Sequence, residues 1–435
     1  MSHFTEFVFQ DYTYDSINGE AVFTYNFDGQ LQFTERVIFQ LPSVNSYDRD
    51  ALDRALLLAF LIAGTSYYKC FPTTSYRFTR QKLSADQAEF LNTVYRDGMS
   101  QFIYENKLTL EDIVTFVADQ DEPLRAVDDY SGVGTLVMQS GGKDSLLLAT
   151  LLDKSKKIYT PWYVSSTSSY PDVLNQLTGA SPRVVQRQID RIGLRSASDM
   201  GALNGHVPVT YIIASYALVD AILHNENTVL MAIGNEGSES HAYVGQLSVN
   251  HQWSKTWQAE QRLQDYVHQY IATNIRIGSP LRQFSELKIA ELFAKHAWAK
   301  YGHSFSSCNL ANYKQGAINQ QLTWDGDCSK CANSYLLFAP FVDAEDLRSL
   351  FGGEDLLKKP SLQEDFKGLL GIDGVMKPFE CVGEIDELRI AYHMARKRHG
   401  AETYELPFDV PESSFDYMAR TDAQRWATDL ISSDI

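Results

Sequence analysis

Residues 140–145, with the sequence SGGKDS, place two glycines, two hydroxyls, a lysine and an aspartate in one short stretch. They stand between an apolar run, GTLVMQ, that is typical of a buried strand, and KDSLLLATLLDK, whose leucines predict a helix facing a sheet. A turn that opens a helix exposes backbone N–H groups at the positive end of the helix dipole, which favours anions. The pattern therefore predicts a phosphate-binding loop.

The loop differs from the common G-x-x-x-x-G-K-[ST] phosphate loop, in which a hydroxyl directly after the lysine holds magnesium. Here Asp144 follows Lys143. The hexapeptide resembles instead the S-G-G-x-D-S loop of the ATP pyrophosphatase (PP-loop) superfamily. That resemblance implies cleavage of ATP between its α and β phosphates, usually with transfer of AMP to a substrate.

Each residue type in the loop suits a departing pyrophosphate. The glycines allow close approach of the backbone, the serines offer hydroxyls, the lysine adds positive charge, and the aspartate can hold the accompanying Mg²⁺. We expect the nucleotide to be bound by Ser140, Gly141, Gly142, Lys143, Asp144 and Ser145. Asp144 is expected to ligate Mg²⁺, and Lys143 and Asp144 are also expected to be catalytic.

The 435 residues are 44% hydrophobic and 21% charged, as in an ordinary soluble globular protein. Five cysteines do not make a disulfide scaffold, no basic-plus-apolar signal segment is visible, and the longest apolar stretches are too short to span a bilayer. We expect a cytoplasmic protein with no membrane partner. The net charge of −17 disfavours tRNA and other nucleic acids as partners, because these require a basic surface, and it favours a smaller substrate.

Three zones are predicted along the chain. Residues 1–125 begin with alternating aromatic-rich runs separated by Asn-Gly and Asp-Gly turns, which predict hairpins. Helical patterns follow, the second with Ser84 as its N-cap. We interpret this zone as an N-terminal α+β substrate or docking domain. Residues 126–345 alternate strand and helix patterns, which indicates an α/β fold with a doubly wound parallel sheet. Residues 346–435 form a mixed acidic segment.

A second polar stretch follows the run TVLMAIG, which is typical of a buried strand. Asn235 and Glu236 would then lie at the same carboxyl edge of the sheet as the phosphate loop. His251 and Lys255 follow in NHQWSKTWQAE. A polar loop before an amphipathic helix is the plain alternative, but we expect Asn235 to contact the nucleotide and Glu236, His251 and Lys255 to be catalytic.

Cys308, Cys328 and Cys331 form a C-x19-C-x2-C array. A C-x2-C pair is typical of structural Zn²⁺, while buried inert thiols and catalytic thiols are alternatives that the spacing leaves open. Candidates for a fourth ligand are Cys381, His303 and Asp327, and Cys70 is expected in the core.

Four segments taken in order resemble one family: SGGKDS, GNEGSES…NHQWSKTWQAE, SSCN…DCSKCANSYLLFAPF and KPFECVGE. They are similar to the ATP-dependent UDP-N-acetylmuramoyl-L-alanyl-L-glutamate epimerases over roughly 130–385. At one position the chain departs from that family. The residue after Trp324 is Asp325, where the family tends to carry an additional cysteine.

This resemblance implies a chemistry in which ATP acidifies a C–H bond. The family inverts the terminal L-glutamate of UDP-MurNAc-L-Ala-L-Glu, a peptidoglycan precursor, to D-glutamate. A free carboxylate makes the α-proton very weakly acidic, whereas an acyl-adenylate removes that charge. Bases can then exchange the proton before hydrolysis releases AMP. The base is expected among Glu236, His251 and Lys255, with Cys328 and Cys331 approaching from the next segment.

Two other classes of protein compete with the epimerase. A PP-loop ligase or amidotransferase would pass an adenylated carboxylate or base, on a small or tRNA substrate, to ammonia or an amine. A nucleotide-binding module without catalysis is the more distant alternative. Incorporation of solvent deuterium at the glutamate α-carbon distinguishes the epimerase from both.

Overall fold

The computed structural model describes residues 4–44, 46–120, 125–179, 181–314, 317–318 and 320–431. In chain order its strands are β1 (Glu6–Asp15), β2 (Glu20–Phe27), β3 (Leu31–Ile38), β4 (Ser75–Phe78), β5 (Thr135–Met138), β6 (Thr160–Ser165), β7 (Arg183–Gln188), β8 (Thr228–Leu230), β9 (Ala242–Val244), β10 (Leu247–Val249), β11 (Arg276–Gly278), β12 (Tyr313–Lys314) and β13 (Ala317–Ile318).

Helices connect and cover these strands. They are α1 (Arg49–Ala63), α2 (Thr65–Tyr68), α3 (Ala85–Arg96), α4 (Ser100–Glu105), α5 (Lys143–Lys154), α6 (Arg191–Asp199), α7 (Val209–Leu223), α8 (Trp257–Tyr266), α9 (Glu286–His296), α10 (Trp298–Tyr301), α11 (Asn309–Asn312), α12 (Ser329–Phe338), α13 (Ala344–Ser349), α14 (Gln363–Leu370), α15 (Ile385–His399) and α16 (Arg425–Thr428). Short 3₁₀ turns lie at Leu110–Asp112, Asp172–Gln176, Trp253–Lys255, Leu356–Lys358 and Pro360–Leu362, and a π-helical turn lies at Val267–Ile271. Among the described residues, no helix is long and apolar enough to cross a membrane.

One nine-stranded sheet runs through the chain in the order β11-β8-β5-β6-β7-β3-β2-β1-β4. The five strands from β11 to β7 are mutually parallel. The strands β7, β3, β2 and β1 pair antiparallel, and β4 is parallel to β1 at the far edge. The predicted α/β class and a large, mostly parallel sheet are thus confirmed. Strands from before and after residue 125 belong to this one sheet. A separate N-terminal domain that ends at residue 125 therefore stays a prediction.

The predicted hairpin turns join β1 to β2 and β2 to β3. Gly19 and Gly29 have φ values of 68° and 70°, a left-handed conformation that glycine adopts without steric cost. Ser84 also caps α3 as predicted. Its side chain accepts a hydrogen bond from the Gln87 backbone N–H, and the Gln87 side chain completes a capping box.

Two hydrophobic cores cover the two faces of the parallel strands. Neighbouring residues of β5 contribute to opposite cores, Leu136 to one and Val137 to the other, because side chains alternate along a strand. The first core contains residues of α1, α3, α7 and α8, and the second contains residues of α5, α9, α12, α14 and α15. Residues after 346 therefore pack into the same core as α5, while the predicted division at 345 stays a prediction.

The sheet order sets the position of the functional site. From β5 the chain moves to β6 and β7 on one side, and then returns through α7 to β8 on the other side of β5. In a parallel sheet, such a switch of direction opens a crevice at the carboxyl ends of the two diverging strands. The loops after Met138 and Leu230 flank this crevice.

A buried ion pair joins the antiparallel strands to the parallel ones. Arg187 on β7 donates through Nε to Glu35 on β3, with 2.7 Å between nitrogen and oxygen. The hydroxyl of Tyr67 donates to the other oxygen of Glu35 at 2.9 Å, and the hydroxyl of Tyr216 also donates to this carboxylate. Because the Glu35 side chain is fully buried, the loss of its charge would leave Arg187 unpaired.

We predict that Glu35→Gln lowers the free energy of unfolding by about 3–5 kcal/mol, the cost of breaking a buried pair on one side. Glu20→Gln is the control, because Glu20 pairs with Arg36 on the surface and such pairs contribute about 1 kcal/mol or less. Urea denaturation followed by circular dichroism measures both variants. Equal losses of stability would contradict the assignment of Arg187 and Glu35 as the joint between the two parts of the sheet.

Candidate active site

A cavity of about 640 Å³ opens at the carboxyl edge of β5 and β8. Segments distant in sequence line it: the loop after β5, the loop after β8, the turn before α8, the start of α9, residues in and before α11, residues of α12, and the segment before α15. The predicted site residues among its lining are Ser140, Gly142, Lys143, Asp144, Ser145, Glu236, His251, Lys255 and Cys308. Gly141, Asn235, Cys328 and Cys331 are not among the described residues that line it.

The SGGKDS loop leads directly into α5, whose bounds match the predicted helix. Gly141 has a φ of 79°, a backbone conformation that is strained for any residue with a side chain, and a Cβ there would lie 2.7 Å from Cδ1 of Leu322, which would have to move. Gly142 is the N-cap, and within the described residues no side chain caps this helix. The first N–H groups of α5 are therefore available to an anion in the cavity.

The two serines of the loop hydrogen-bond each other across its turn. Their hydroxyl oxygens are 3.2 Å apart, and the backbone N–H of Ser140 donates to Oγ of Ser145 at 3.2 Å. The N–H of Gly142 donates to Oγ of Ser140. The loop is thereby held in one conformation with its backbone close to the cavity.

Lys143 lies between two carboxylates. Its Nζ donates to Oδ1 of Asp144 at 2.6 Å and to Oε2 of Glu286 at 2.5 Å. Burial lowers the pKa of Lys143, but Asp144 and Glu286 outweigh this effect and raise it. Glu286 is the first residue of α9, which Ser285 caps, and it was not predicted as a site residue.

Lys255 and Glu236 form the second charged pair. The Nζ of Lys255 lies 3.3 Å from Oε2 and 3.4 Å from Oε1 of Glu236. Burial raises the pKa of Glu236, and Lys255 opposes that rise. Burial lowers the pKa of Lys255, but Cys381 and Glu236 outweigh it, so the net shift is upward. Lys255 is therefore a cation near neutral pH.

Buried anchors fix the backbone that carries Glu236. Arg282 is fully buried and donates through Nη1 to the carbonyl of Gly234 at 2.6 Å, while its Nε donates to Glu260 at 3.0 Å. Ser279 hydrogen-bonds both the N–H and the carbonyl of Ile233. Asn235 belongs to this framework, because its N–H donates to the carbonyl of Phe284 at 2.7 Å.

The segment NHQWSK carries both anchoring and cavity-lining side chains. Asn250 donates to the carbonyl of Gly237, and Gln252 donates to the carbonyl of Val382 at 3.0 Å. His251 and Lys255 line the cavity, together with Gln252 and Ser254. The hydrogen bond from Gln252 to Val382 also holds Cys381, the neighbour of Val382, in the cavity wall. Cys381 was considered as a metal ligand, but it lines the cavity with Glu236 and Lys255.

A hydrogen-bonded chain fixes the tautomer of His251. Gln101 donates through Nε2 to Glu105 at 2.9 Å, so its Oε1 faces Nδ1 of His251, 2.6 Å away. Because an amide oxygen only accepts, Nδ1 of His251 carries the proton and Nε2 keeps its lone pair. Burial lowers the pKa of His251 to about 4, and Lys255 and Lys330 add to this effect, so the ring is neutral near pH 7.

The cavity has the donors that a magnesium–nucleotide complex needs. Asp144, Glu236 and Glu286 place three carboxyl groups around the ammonium groups of Lys143 and Lys255. Burial raises the pKa of Glu286 to about 7, with Lys143 opposing the rise, and a hard cation bound here would favour the charged carboxylate that ligates it. The Oε1 atom of Glu286 and both polar atoms of the Gln139 amide are buried without a hydrogen-bond partner among the described residues. Such orphaned groups, beside an uncapped helix N-terminus, fit a polar ligand.

The thiols that do not line the cavity lie immediately behind it. Cys328 and Cys331 pack against Cys308, and Asp325 lies with them. The fourth-ligand candidates His303 and Asp327 have other partners: His303 pairs with Asp346, and Asp327 accepts a hydrogen bond from Ser361. Cys70 is buried in the first core, as predicted.

These features define the chain as an α/β protein with a buried, charged cavity at the switch point of its sheet. Residues 1–279 match the model of the MurL N-terminal domain, and residues 304–408 match that of the MurL C-terminal domain. The chain therefore belongs to the MurL epimerase family.

Individual relatives agree with the family models. A UDP-N-acetyl-alpha-D-muramoyl-L-alanyl-L-glutamate epimerase from Micromonospora sp. is 32% identical, with 96% of this chain and 93% of the relative covered. Proteins of the same name from Salinispora tropica and Xanthomonas oryzae pv. oryzae are 33% and 31% identical, over 91% and 88% of this chain and 85% and 84% of the relatives. No solved structure matches the chain.

We predict that acid destabilises the protein partly through His206, whose ring centroid lies 4.4 Å from that of His251. Burial, together with the charges of His251 and Lys69, lowers the pKa of His206 to about 3. The unfolded chain therefore binds the proton first, and stability falls by about 1.4 kcal/mol per pH unit below about pH 6.5.

The His206→Asn variant should lose less stability than the parent protein between about pH 6.5 and pH 4. Urea midpoints measured across this range test it, with the exposed His303→Asn as the control. A pH dependence of His206→Asn identical to that of the parent would contradict the assignment.

Proposed function

We propose that this protein inverts the terminal L-glutamate of UDP-MurNAc-L-Ala-L-Glu to D-glutamate through an acyl-adenylate, in peptidoglycan precursor synthesis. The observation that carries the proposal is the meeting, in one cavity, of an uncapped helix N-terminus with two lysine–carboxylate pairs and a neutral histidine. An anion site alone would suit many nucleotide-binding proteins. The added acid–base groups, together with the names of the relatives, favour an epimerase.

In the first half-reaction the substrate carboxylate attacks the α-phosphorus of ATP and pyrophosphate leaves. The N–H groups at the start of α5 and the hydroxyls of Ser140 and Ser145 would bind the pyrophosphate. Lys143 would offset its charge, and Asp144 and Glu286 would hold Mg²⁺. Mg²⁺, when bound, stabilises the negative charge that develops on the leaving group.

In the second half-reaction a proton leaves the α-carbon and returns from the other face, and water then hydrolyses the acyl-adenylate to the free carboxylate and AMP. We assign the base to His251, because Nε2 carries a lone pair and the neutral ring is stable at pH 7. Negative charge on the bound adenylate would raise the pKa of His251 toward the working range of a base. Lys255, a cation beside Glu236, would stabilise the negative charge on the enolate oxygen.

Cys381 is the second proton carrier in this scheme. It comes from the segment before α15, whereas His251 comes from the turn before α8, so the two approach the cavity from different parts of the chain. An inversion needs proton transfer on both faces of the carbon, and a thiol beside Lys255 can supply one of them. Cys328 and Cys331 do not line the cavity and have no role in this step.

The cytoplasmic location and the absence of a nucleic-acid partner stay predictions from composition. UDP-MurNAc-L-Ala-L-Glu is the expected partner molecule. Incubation of the protein with this substrate and Mg–ATP, followed by assays of AMP, pyrophosphate and glutamate chirality, tests the function directly. Formation of ADP and phosphate would overturn the adenylate. An amide product that depends on ammonium would favour the ligase, and the absence of turnover would favour a binding module.

We predict that Ser145→Ala lowers pyrophosphate release more than tenfold, because a hydroxyl that meets developing charge typically contributes at least that much. Thr150→Ala on the same helix is the control, since the Thr150 hydroxyl donates to the Leu146 carbonyl within α5 and Thr150 is not among the described residues that line the cavity. Pyrophosphate release is measured in a coupled assay at saturating substrate. Equal rates for the two variants would contradict a role of Ser145 at the phosphate.

We predict that His251→Ala and Cys381→Ala both still release pyrophosphate. His251→Ala should lose at least about a hundredfold in the exchange of the L-glutamate α-proton with solvent deuterium, and Cys381→Ala should lose at least about a hundredfold in inversion to D-glutamate, as is typical for removal of a general base or acid. Proton NMR in deuterated water follows the exchange. His303→Ala and Cys70→Ala are matched controls, because both residues lie outside the cavity lining. If both cavity variants exchange at the parental rate, the base assignment is wrong and Glu236→Gln is the next variant to measure.

A further inference from the structure

Three thiols and one carboxylate converge behind the wall of the cavity. Cys308, Asp325, Cys328 and Cys331 each place one ligand-type atom so that all four atoms lie within 4.8 Å of one another. Cys308 and Cys331 are buried, and Asp325 is exposed. They come from the loop before α11, the loop before α12, and α12 itself.

The distances between the sulfur atoms suit a tetrahedral metal ion. Sγ of Cys328 lies 3.7 Å from Sγ of Cys308 and 3.5 Å from Sγ of Cys331. Two thiolates bound to one zinc ion at about 2.3 Å each, at the tetrahedral angle, are about 3.8 Å apart. The observed separations are close to that value, and they are far longer than a disulfide bond of about 2.05 Å.

Asp325 takes the place of a fourth sulfur ligand. Its Oδ1 lies 3.1 Å from Sγ of Cys331, and the backbone N–H of Asp327 donates to the same oxygen at 2.9 Å. The N–H of Ala311 points at Sγ of Cys308 from 3.4 Å. Such outer hydrogen bonds orient metal ligands and are a regular part of zinc sites.

We propose that Cys308, Asp325, Cys328 and Cys331 bind one Zn²⁺ ion in a closed, four-coordinate structural site. With three thiolates and a carboxylate as ligands, no position is left open for water or substrate, which separates this site from a catalytic one. The inference does not depend on the epimerase assignment, since it concerns metal binding alone.

The proposed ion would hold one wall of the cavity in place. Cys308 lies at the start of α11, and its neighbours Ser307 and Asn309 line the cavity. Cys328 is the N-cap of α12, where a thiolate is stabilised by the helix dipole. Lys330 and Asn333 on α12 also line the cavity. Zinc would thus fix α11 relative to α12.

Metal analysis of the full-length protein, purified from zinc-supplemented medium, tests the proposal. Plasma mass spectrometry should find close to one zinc ion per chain. Asp325→Ala should weaken zinc binding more than tenfold in a competition with a chromophoric chelator. Asp327→Ala and Cys70→Ala, which change a neighbouring carboxylate and a thiol elsewhere, should retain zinc as the parent protein does.

A gain-of-ligand variant keeps the test independent of folding defects. Asp325→Cys should fold, retain one zinc ion and bind it at least as tightly as the parent, because it completes a four-cysteine set. Cobalt substitution should give the thiolate-to-metal absorption of a tetrahedral site in the parent protein and a stronger band in Asp325→Cys. Chelation should lower the Tm of the parent by about 5 °C or more.

Three outcomes would overturn the proposal. They are a parent protein without zinc after growth with added zinc, an Asp325→Ala variant that binds zinc as tightly as the parent, and equal losses in Asp325→Ala and Asp327→Ala. The first outcome would show that the site does not bind zinc. Either of the other two would show that Asp325 is not a ligand. A reduced yield of folded Asp325→Ala would not affect this decision, because Asp325→Cys reports on the same position.

Discussion

The charges buried at the carboxyl edge of the sheet must neutralise one another, and the layout of the cavity follows from that requirement. An isolated ion in a protein interior is strongly disfavoured, so the two most buried lysines of the cavity stand against carboxylates. Lys143 meets Asp144 and Glu286, and Lys255 meets Glu236. The first group joins the loop after β5 to the start of α9, and the second joins the turn before α8 to the loop after β8.

Much of the fold was predictable because local sequence patterns specify it. The helix over Lys143–Lys154, the turns at Gly19 and Gly29, and the Ser84 cap follow from periodicity and backbone preference, and all are confirmed. The pairing of β3 with β7 was not predicted. Neither strand carries a local signal for its partner. The alternation of apolar and polar residues along a strand is the same whether the strand pairs with a neighbour in sequence or with a distant strand.

The site was predicted where one segment holds several chemical groups together. The loop at 140–145 and Glu236 share the cavity because they follow neighbouring strands of the parallel sheet. His251 and Lys255 reach it from the segment after β10, which belongs to a separate two-stranded sheet. Glu286 was missed, since an acidic residue in the first turn of a helix is expected for the helix dipole alone. Asp325 is one of two aspartates in the loop before α12, and the fold shows that it, rather than Asp327, lies beside the three thiols.

The pairing of β3 with β7 also governs how the chain is made. A ribosome releases β3 long before β7, because β4, β5 and β6 are synthesised between them. At ribosomal rates of about 5–20 residues per second this interval is on the order of ten seconds. Throughout it, the edge of β3 that later pairs with β7 stays open beside the aromatic side chains of the first hairpins, and such an edge is a template for association with other nascent chains. Association is therefore most favoured while the first half of the chain waits for the second.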